Sequence, residues 1–185
     1  MLARDQVLSK MIIILTKVSM RPDLARSAVV SLALAIGAAV VPAHAAQPVV
    51  VAVDGTLCDL TKTLAAGAAS VTCLIPPGGD PHSYRLKPSD RSQIAKSDLV
   101  LHIGFGLTPS AKKLKSPGTV VAVGEVALPS YGGSDPHVWH DPANSAAMVR
   151  VISRTLAPVL AASDRAALQQ RTARAVAVFQ ALQSW

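Results

Sequence analysis

Two short stretches set a histidine behind an Asp-Pro pair: Gly78-Gly79-Asp80-Pro81-His82-Ser83-Tyr84 and Gly132-Gly133-Ser134-Asp135-Pro136-His137-Val138-Trp139-His140. Proline fixes its own φ and pushes the preceding Asp toward extended backbone, so each histidine rides on a stiff segment. The glycines ahead of it let the loop turn sharply. Neutral imidazole supplies a ligand nitrogen, and a nearby carboxylate or backbone carbonyl can fix the other ring nitrogen. His82 and His137 are therefore candidate metal ligands. Asp80 and Asp135 are candidate partners of the ligand rings, or simple turn residues, since Asp before Pro favours turns in any case. A lone histidine of this kind more often packs a loop. Two in the same context point to a metal site.

Other residues carry less. His140, three residues past His137, is either a further ligand or a surface residue. His102 falls near the end of an expected strand, where it either lines the site or is a half-buried strand histidine. Tyr84 and Trp139 read as packing for the two loops. Lys112, Lys113 and Lys115 read as a solvated helix end, where the dipole favours cations. The chain has no Gly-x-Ser-x-Gly elbow, no Ser/His/Asp order and no glycine loop for phosphate. A zinc hydrolase would need a third ligand and a general base beside an open coordination position. Glu125 or an aspartate would have to serve, and nothing in their placement singles one out.

These loops need elements to hold them. Pro48 to Val53 is a continuous apolar, β-branched run, the pattern of a strand buried on both faces. Leu57 to Ala66 reads as a helix stopped by Gly67, after a turn at Asp54-Gly55. Strands follow at Ser70–Ile75, Leu99–Ile103 and Thr119–Val123. Helices are expected from Pro88, from Thr108-Pro109 through Lys115, and from the cap at Asp141-Pro142 to about Leu156. A last helix, capped by Ser163-Asp164, carries an apolar stripe of Val176, Phe179 and Leu182. Alternating strands and helices imply right-handed crossovers and a parallel sheet of about four strands, an α/β fold. Ligands of such sheets bind beyond the carboxyl ends of the strands, where the loops of His82 and His137 both begin.

Arg21 and Arg26 precede an apolar run from Ala28 to Val41, and Ala43-His44-Ala45 offers small residues at the cleavage positions. Residues 1–45 thus read as a secretory signal peptide, the alternative being a retained N-terminal anchor, with 1–19 as an over-extended start before Met20. The exported part, 46–185, is one domain by length. It holds 13 of the 18 Lys and Arg and nine of the 11 Asp and Glu, a net charge of +4. That balance, without a basic stripe or interleaved aromatics, argues against nucleic acid. Export would put Cys58 and Cys73 in an oxidising compartment, where they either pair or stay buried as small hydrophobes.

The motifs Pro77-Gly78-Gly79-Asp80-Pro81-His82-Ser83-Tyr84, Pro88-Ser89-Asp90, Ser97-Asp98-Leu99-Val100 and Asp135-Pro136-His137-Val138-Trp139-His140-Asp141-Pro142 resemble the zinc/manganese substrate-binding proteins of bacterial ABC importers, of the ZnuA/TroA-like type. The resemblance runs from Val49 to the end of the chain. It implies a periplasmic solute-binding protein that carries Zn²⁺ or Mn²⁺ to an ABC importer permease, with no membrane insertion after signal cleavage and no enzymatic turnover. It implies metal ligation by His82 and His137. It also implies one lobe of a two-lobe fold: residues 46–162 as the N-terminal α/β metal-binding lobe, and 163–185 as the start of the interlobe helix. The C-terminal lobe, with its further ligands, would be absent, and so is the histidine-rich loop of many zinc-specific members. Two alternatives stand beside this reading, a metal-free structural or interaction lobe and a small secreted zinc hydrolase.

Overall fold

The computed structural model describes residues 46–185. The expected signal peptide lies outside them. Among the described residues no helix is long and apolar enough to cross a membrane.

Four parallel strands form the sheet, in the order β2-β1-β3-β4: β1 (Val49–Ala52), β2 (Ser70–Cys73), β3 (Leu99–His102) and β4 (Thr119–Ala122). Each is shorter than the sequence pattern suggests by one or two residues, although inter-strand hydrogen bonds run on past the ends, from the N–H groups of Val53, Leu74 and Ile75 to the carbonyls of Leu101, Ala52 and Val53. Val50, Val51, Ala52 and Val53 are all fully buried. Alternate residues point to opposite faces. Val50, Ala52, Leu99 and Leu101 enter a large core with Leu57, Met148, Ile152 and Leu156. Val51, Val53 and Val100 enter a smaller one with Ile75, Ile94 and Ala111. Both faces are dry, which is why β1 reads as an unbroken apolar run rather than an alternation.

Helix α1 (Gly55–Ala65) starts two residues earlier than expected. Asp54 is its N-cap rather than part of a turn, and accepts the Leu57 N–H at 3.0 Å. Arg171 closes its other end, donating from Nε to the Leu64 carbonyl at 2.6 Å. Helix α2 (Pro88–Ile94) opens on proline as expected, and Asp90 accepts the Lys87 N–H at 2.8 Å. The helix expected from Thr108 to Lys115 is only a 3₁₀ turn, Pro109–Ala111. A short helix not foreseen, α3 (Val123–Ala127), follows β4 directly. Helix α4 (Pro142–Val159) has the expected Asp141 cap, which accepts the Ala143 N–H at 2.7 Å. Helix α5 (Ala162–Gln183) begins at Ala162, so Ser163 and Asp164 lie inside its first turn instead of capping it. Its expected stripe splits: Val176 is buried and Phe179 packs at the core edge, while Leu182 and Trp185 are exposed.

Cys58 on α1 and Cys73 at the end of β2 form a disulfide, with Cα atoms 5.6 Å apart. It ties the first crossover helix to the strand from which the His82 loop departs. Closing a loop over a sequence separation of 15 residues restricts the unfolded chain. Replacing both cysteines with serine is expected to lower the unfolding free energy by about 3 kcal/mol, read by urea titration. A loss below about 1 kcal/mol would mean that packing alone holds this crossover.

Candidate metal centre

The two Asp-Pro-His loops, one after β2 and one after β4 and α3, come from opposite edges of the sheet and meet. His82 Nε2 and His137 Nε2 lie 3.1 Å apart, with the ring centroids 5.0 Å apart and the planes at 66°. Both rings reach solvent: His82 is exposed, and the His137 side chain keeps 35% of its accessible surface.

The first loop is built on a positive φ of 78° at Gly78, a conformation glycine adopts without strain. Asp80 then accepts the His82 backbone N–H at 3.0 Å and the Ser83 hydroxyl at 2.7 Å. Those two donors, the Ser83 hydroxyl first, hold its carboxyl below the usual carboxylate range. Tyr84 anchors the loop from beneath. Its hydroxyl sits 2.9 Å from the Leu74 carbonyl and 2.8 Å from an Asp90 oxygen, and Ser110 donates to its carbonyl at 2.8 Å. Burial, reinforced by the neighbouring Asp90, pushes the phenol up to about 12.

In the second loop Asp135 works differently. It accepts the His137 backbone N–H at 2.9 Å and also meets His137 Nδ1 at 2.6 Å. The backbone N–H first, and the ring second, keep this carboxyl low. An Nδ1–H donated to Asp135 turns the Nε2 lone pair of neutral His137 outward, toward His82. The Tyr131 hydroxyl donates to the Asp135 carbonyl at 2.9 Å, and a Cβ on Gly133 would collide with the Tyr131 ring. Val138–His140 is a 3₁₀ turn tied to the start of α4, since Asn144 donates to the Val138 carbonyl at 3.0 Å and Ser145 to that of Trp139 at 2.7 Å. Helix α4 is pinned in the core by Met148, Ile152 and Leu156, so the core positions His137.

The other candidates fall elsewhere. The His140 ring centroid is 6.2 Å from that of His137 and 5.5 Å from that of Trp139, and the residue is exposed. His102 ends β3 and lines a separate cleft with Glu125 and Lys112. Burial pushes its imidazole down, opposed in part by Glu125. Glu125 accepts the Phe105 N–H at 2.7 Å, which commits it to the loop after β3. The Phe105 ring packs against Tyr131 at 5.1 Å, so this carboxylate supports the second loop through two aromatics. Among the described residues no three or more of His, Cys, Asp and Glu gather in a metal-sized cluster. The two imidazoles stand as a pair.

Sequence reasoning did not single out Asp90, Tyr131, Asn144 and Ser145 as supports of the loops. Asp90 and Tyr84, six residues apart across the start of α2, were the readable signal.

Residues 50–185 match the family described as zinc-uptake complex component A, periplasmic (ZnuA). The chain belongs to this family. It is similar to the zinc-binding protein TroA of Treponema pallidum, at 31% identity over 129 residues, covering 64% of this chain and 42% of that protein. It is similar to the manganese-binding lipoprotein MntA of Halalkalibacterium halodurans, at 35% identity over 101 residues, covering 51% of this chain and 34% of that protein. The solved structure of TroA matches with a TM-score of 0.68 at 26% identity, over 75% of this chain and 53% of the other. That of Fe(III)-bound YtgA from Chlamydia trachomatis matches with a TM-score of 0.66 at 25% identity, over 75% and 52%. The chain thus spans about half, or less, of the length of these ZnuA-family relatives. The parallel α/β fold expected from the sequence is the fold of these neighbours.

One ionisable group on the carboxyl edge stands apart from the pair. Asp54, at the end of β1, is almost fully buried, and its Oδ2 has no partner. Burial raises its carboxyl from 3.8 to about 6, against the backbone N–H of Leu57. The folded value exceeds the unfolded one, so its contribution to stability is complete below the unfolded value and lost as pH rises through about 6. Asp54→Asn keeps a good N-cap and removes the ionisation. Between about pH 4 and about pH 7.5 the variant is expected to gain on the wild type by roughly 2 kcal/mol in urea titrations. An equal gap at both pH values would show that Asp54 does not titrate in this range.

Proposed function

We propose that this ZnuA-family chain binds a divalent transition metal ion, Zn²⁺ or Mn²⁺, through His82 and His137, as cargo for an ABC-type importer permease. The observation that carries the reading is the 3.1 Å approach of the two Nε2 atoms. Two nitrogens bound to a tetrahedral ion at 2.0–2.1 Å lie about 3.3 Å apart, so the ion would need only a slight parting of the rings. Asp135 supports the role of His137, because a carboxylate on Nδ1 fixes the tautomer and raises the basicity of the ligand nitrogen. His140 is left out of the pair, since its ring lies beside Trp139.

Relatives named for zinc and for manganese support the class of ion. Imidazole nitrogen suits zinc, while manganese prefers more oxygen ligands. The positions of the ion beyond the two imidazoles would be filled by water or by other groups of the whole protein. In this reading residues 46–162 are the metal-binding lobe, and α5 leads toward the second lobe that the resemblance implies. The protein acts in the periplasm once residues 1–45 have served as a signal. It is a carrier, and the commitment of Glu125 to the Phe105 N–H argues against the hydrolase alternative.

Calorimetric titration with Zn²⁺ and then Mn²⁺ tests the assignment. His82→Ala and His137→Ala are each expected to weaken binding at least tenfold, about 1.4 kcal/mol. Unchanged affinity in both would remove the site.

In the same titration the two aspartates should separate. Asp135→Asn is expected to lose about tenfold or more in metal affinity, as loss of a partner to a ligand ring does. Asp80→Asn should lose much less, because Asp80 holds backbone and Ser83 rather than a ring nitrogen. Equal losses would mean that both carboxylates act only by shaping their loops.

A further inference from the structure

Seven of the 13 basic residues after Ala45 fall in two short stretches. Arg85, Lys87, Arg91 and Lys96 flank or lie on α2, and Lys112, Lys113 and Lys115 follow the 3₁₀ turn. The structure removes the expected account of the three lysines. A turn of three residues, Pro109–Ala111, has no macrodipole to be neutralised by cations beyond its end.

The two stretches lie side by side on the sheet face opposite α1, α4 and α5. Ser110 donates to the Tyr84 carbonyl at 2.8 Å, and Ser116 to the Ile94 carbonyl at 3.0 Å. Ile94 and Ala111 share the smaller core, with Leu86 and Leu114 half-buried at its rim. All seven cations are exposed. The one carboxylate in residues 85–96 and 109–117, Asp90, is buried and turned inward to Tyr84 and the Lys87 N–H. Among the described residues none of the seven pairs with a carboxylate, the ion pair there being His137–Asp135. A shallow cleft of about 290 Å³ between the stretches has Leu86, Ile94 and Leu114 as its floor and Arg91, Lys113 and Lys115 on its walls.

We propose that this face docks on an anionic phospholipid surface. Its composition separates that occupant from an acidic protein. Five of the seven cations are lysines, which protein interfaces disfavour, and the face lacks the aromatic or large apolar anchors on which such interfaces depend. The exposed large hydrophobics, Val126, Val178, Leu182 and Trp185, belong to other elements. Clustered lysines are what attachment to an anionic leaflet uses, each cation within a Debye length adding about fivefold to partitioning. Leu86 and Leu114 give the aliphatic stems an apolar bed while the ammonium groups reach outward. The proposal does not depend on metal binding by His82 and His137. Its consequence is a protein held close to a membrane through the α2 face.

The test is flotation of the full chain with vesicles of phosphatidylcholine alone or with added phosphatidylglycerol, at about 0.1 M salt. Residues 1–45 are common to every protein compared and drop out of the differences. The wild type is expected to partition to the anionic vesicles, and Arg91→Glu/Lys113→Glu/Lys115→Glu to lose at least tenfold. Arg150→Glu/Arg154→Glu/Arg174→Glu makes the same charge change at exposed positions of α4 and α5 and should keep binding. Circular dichroism checks the fold. If the first variant misfolds, the milder Lys113→Gln/Lys115→Gln is compared instead and should lose several-fold. Equal losses in the two glutamate triples would reduce the effect to net charge and overturn the proposal. So would absence of wild-type binding to anionic vesicles, or capture on immobilised polyglutamate without capture by vesicles, which would assign the face to an acidic protein.

Discussion

Two-sided burial of β1 and β3 is the constraint from which the rest of this structure follows. Val50 to Val53 and Leu99 to Leu101 have no exposed face, so helices or turns must cover the sheet above and below. Parallel strands buried in this way can be joined only by crossovers, which bring every carboxyl end to one edge. The outer strands β2 and β4 are three strand spacings apart, about 14 Å. The chain leaving β2, and that leaving β4 through α3, must close that gap before two imidazoles can touch. They do so as stiff Asp-Pro segments braced from below by Tyr84 and by the start of α4. The histidine pair is thus a consequence of the sheet order as much as of the residues themselves.

The two loops look alike in sequence and act differently. In both, the aspartate accepts the backbone N–H of the histidine two residues on, the turn that Asp-Pro favours. Only Asp135 also reaches the ring of its histidine. Asp80 spends its second oxygen on Ser83, a residue whose place Val138 takes in the other loop. Asp135 holds both the backbone N–H and the ring of His137 through one oxygen, Oδ1. His137 is an oriented imidazole on a loop anchored to the core, and His82 is the more exposed of the pair.

Much of this could be read from the residues. The strands came from β-branched apolar runs, and the helix starts at Pro88 and Asp141 from residues that act within one turn. The convergence of His82 and His137 followed from placing both loops on one sheet edge. What could not be read depended on tertiary contacts. Asp54 looks like a turn residue until the helix it caps is seen to begin at Gly55. The stretch from Thr108 to Lys115 has a helical opening, yet its apolar residues Ala111 and Leu114 are taken up by the smaller core and leave a single turn. Helix α3 carries a glycine in five residues and has no sequence signature; Gly124 fits because its N–H reaches the Ile103 carbonyl at 2.8 Å. The pairing of Cys58 with Cys73 stayed open because a helix and a strand can present cysteines toward or away from each other with the same spacing. Only the packing of α1 on β2 decides.

The charge distribution resolves the conflict between a basic chain and the cationic cargo proposed for it. A net charge of +4 over residues 46–185 would repel a divalent ion if it acted from one point. At physiological ionic strength, however, charges beyond about 8 Å are largely screened. Most of the excess positive charge sits on the α2 face and in the turn after β3. The groups nearest the histidines are Asp80 and Asp135, both held ionised by N–H and O–H donors of their own loops. An approaching cation therefore meets local carboxylates first, and the sign of the whole chain matters little at the pair. The same screening lets the basic face attract an anionic surface without drawing on the histidines. Two regions of opposite preference can thus coexist on a domain of this size because each acts only over a few ångströms.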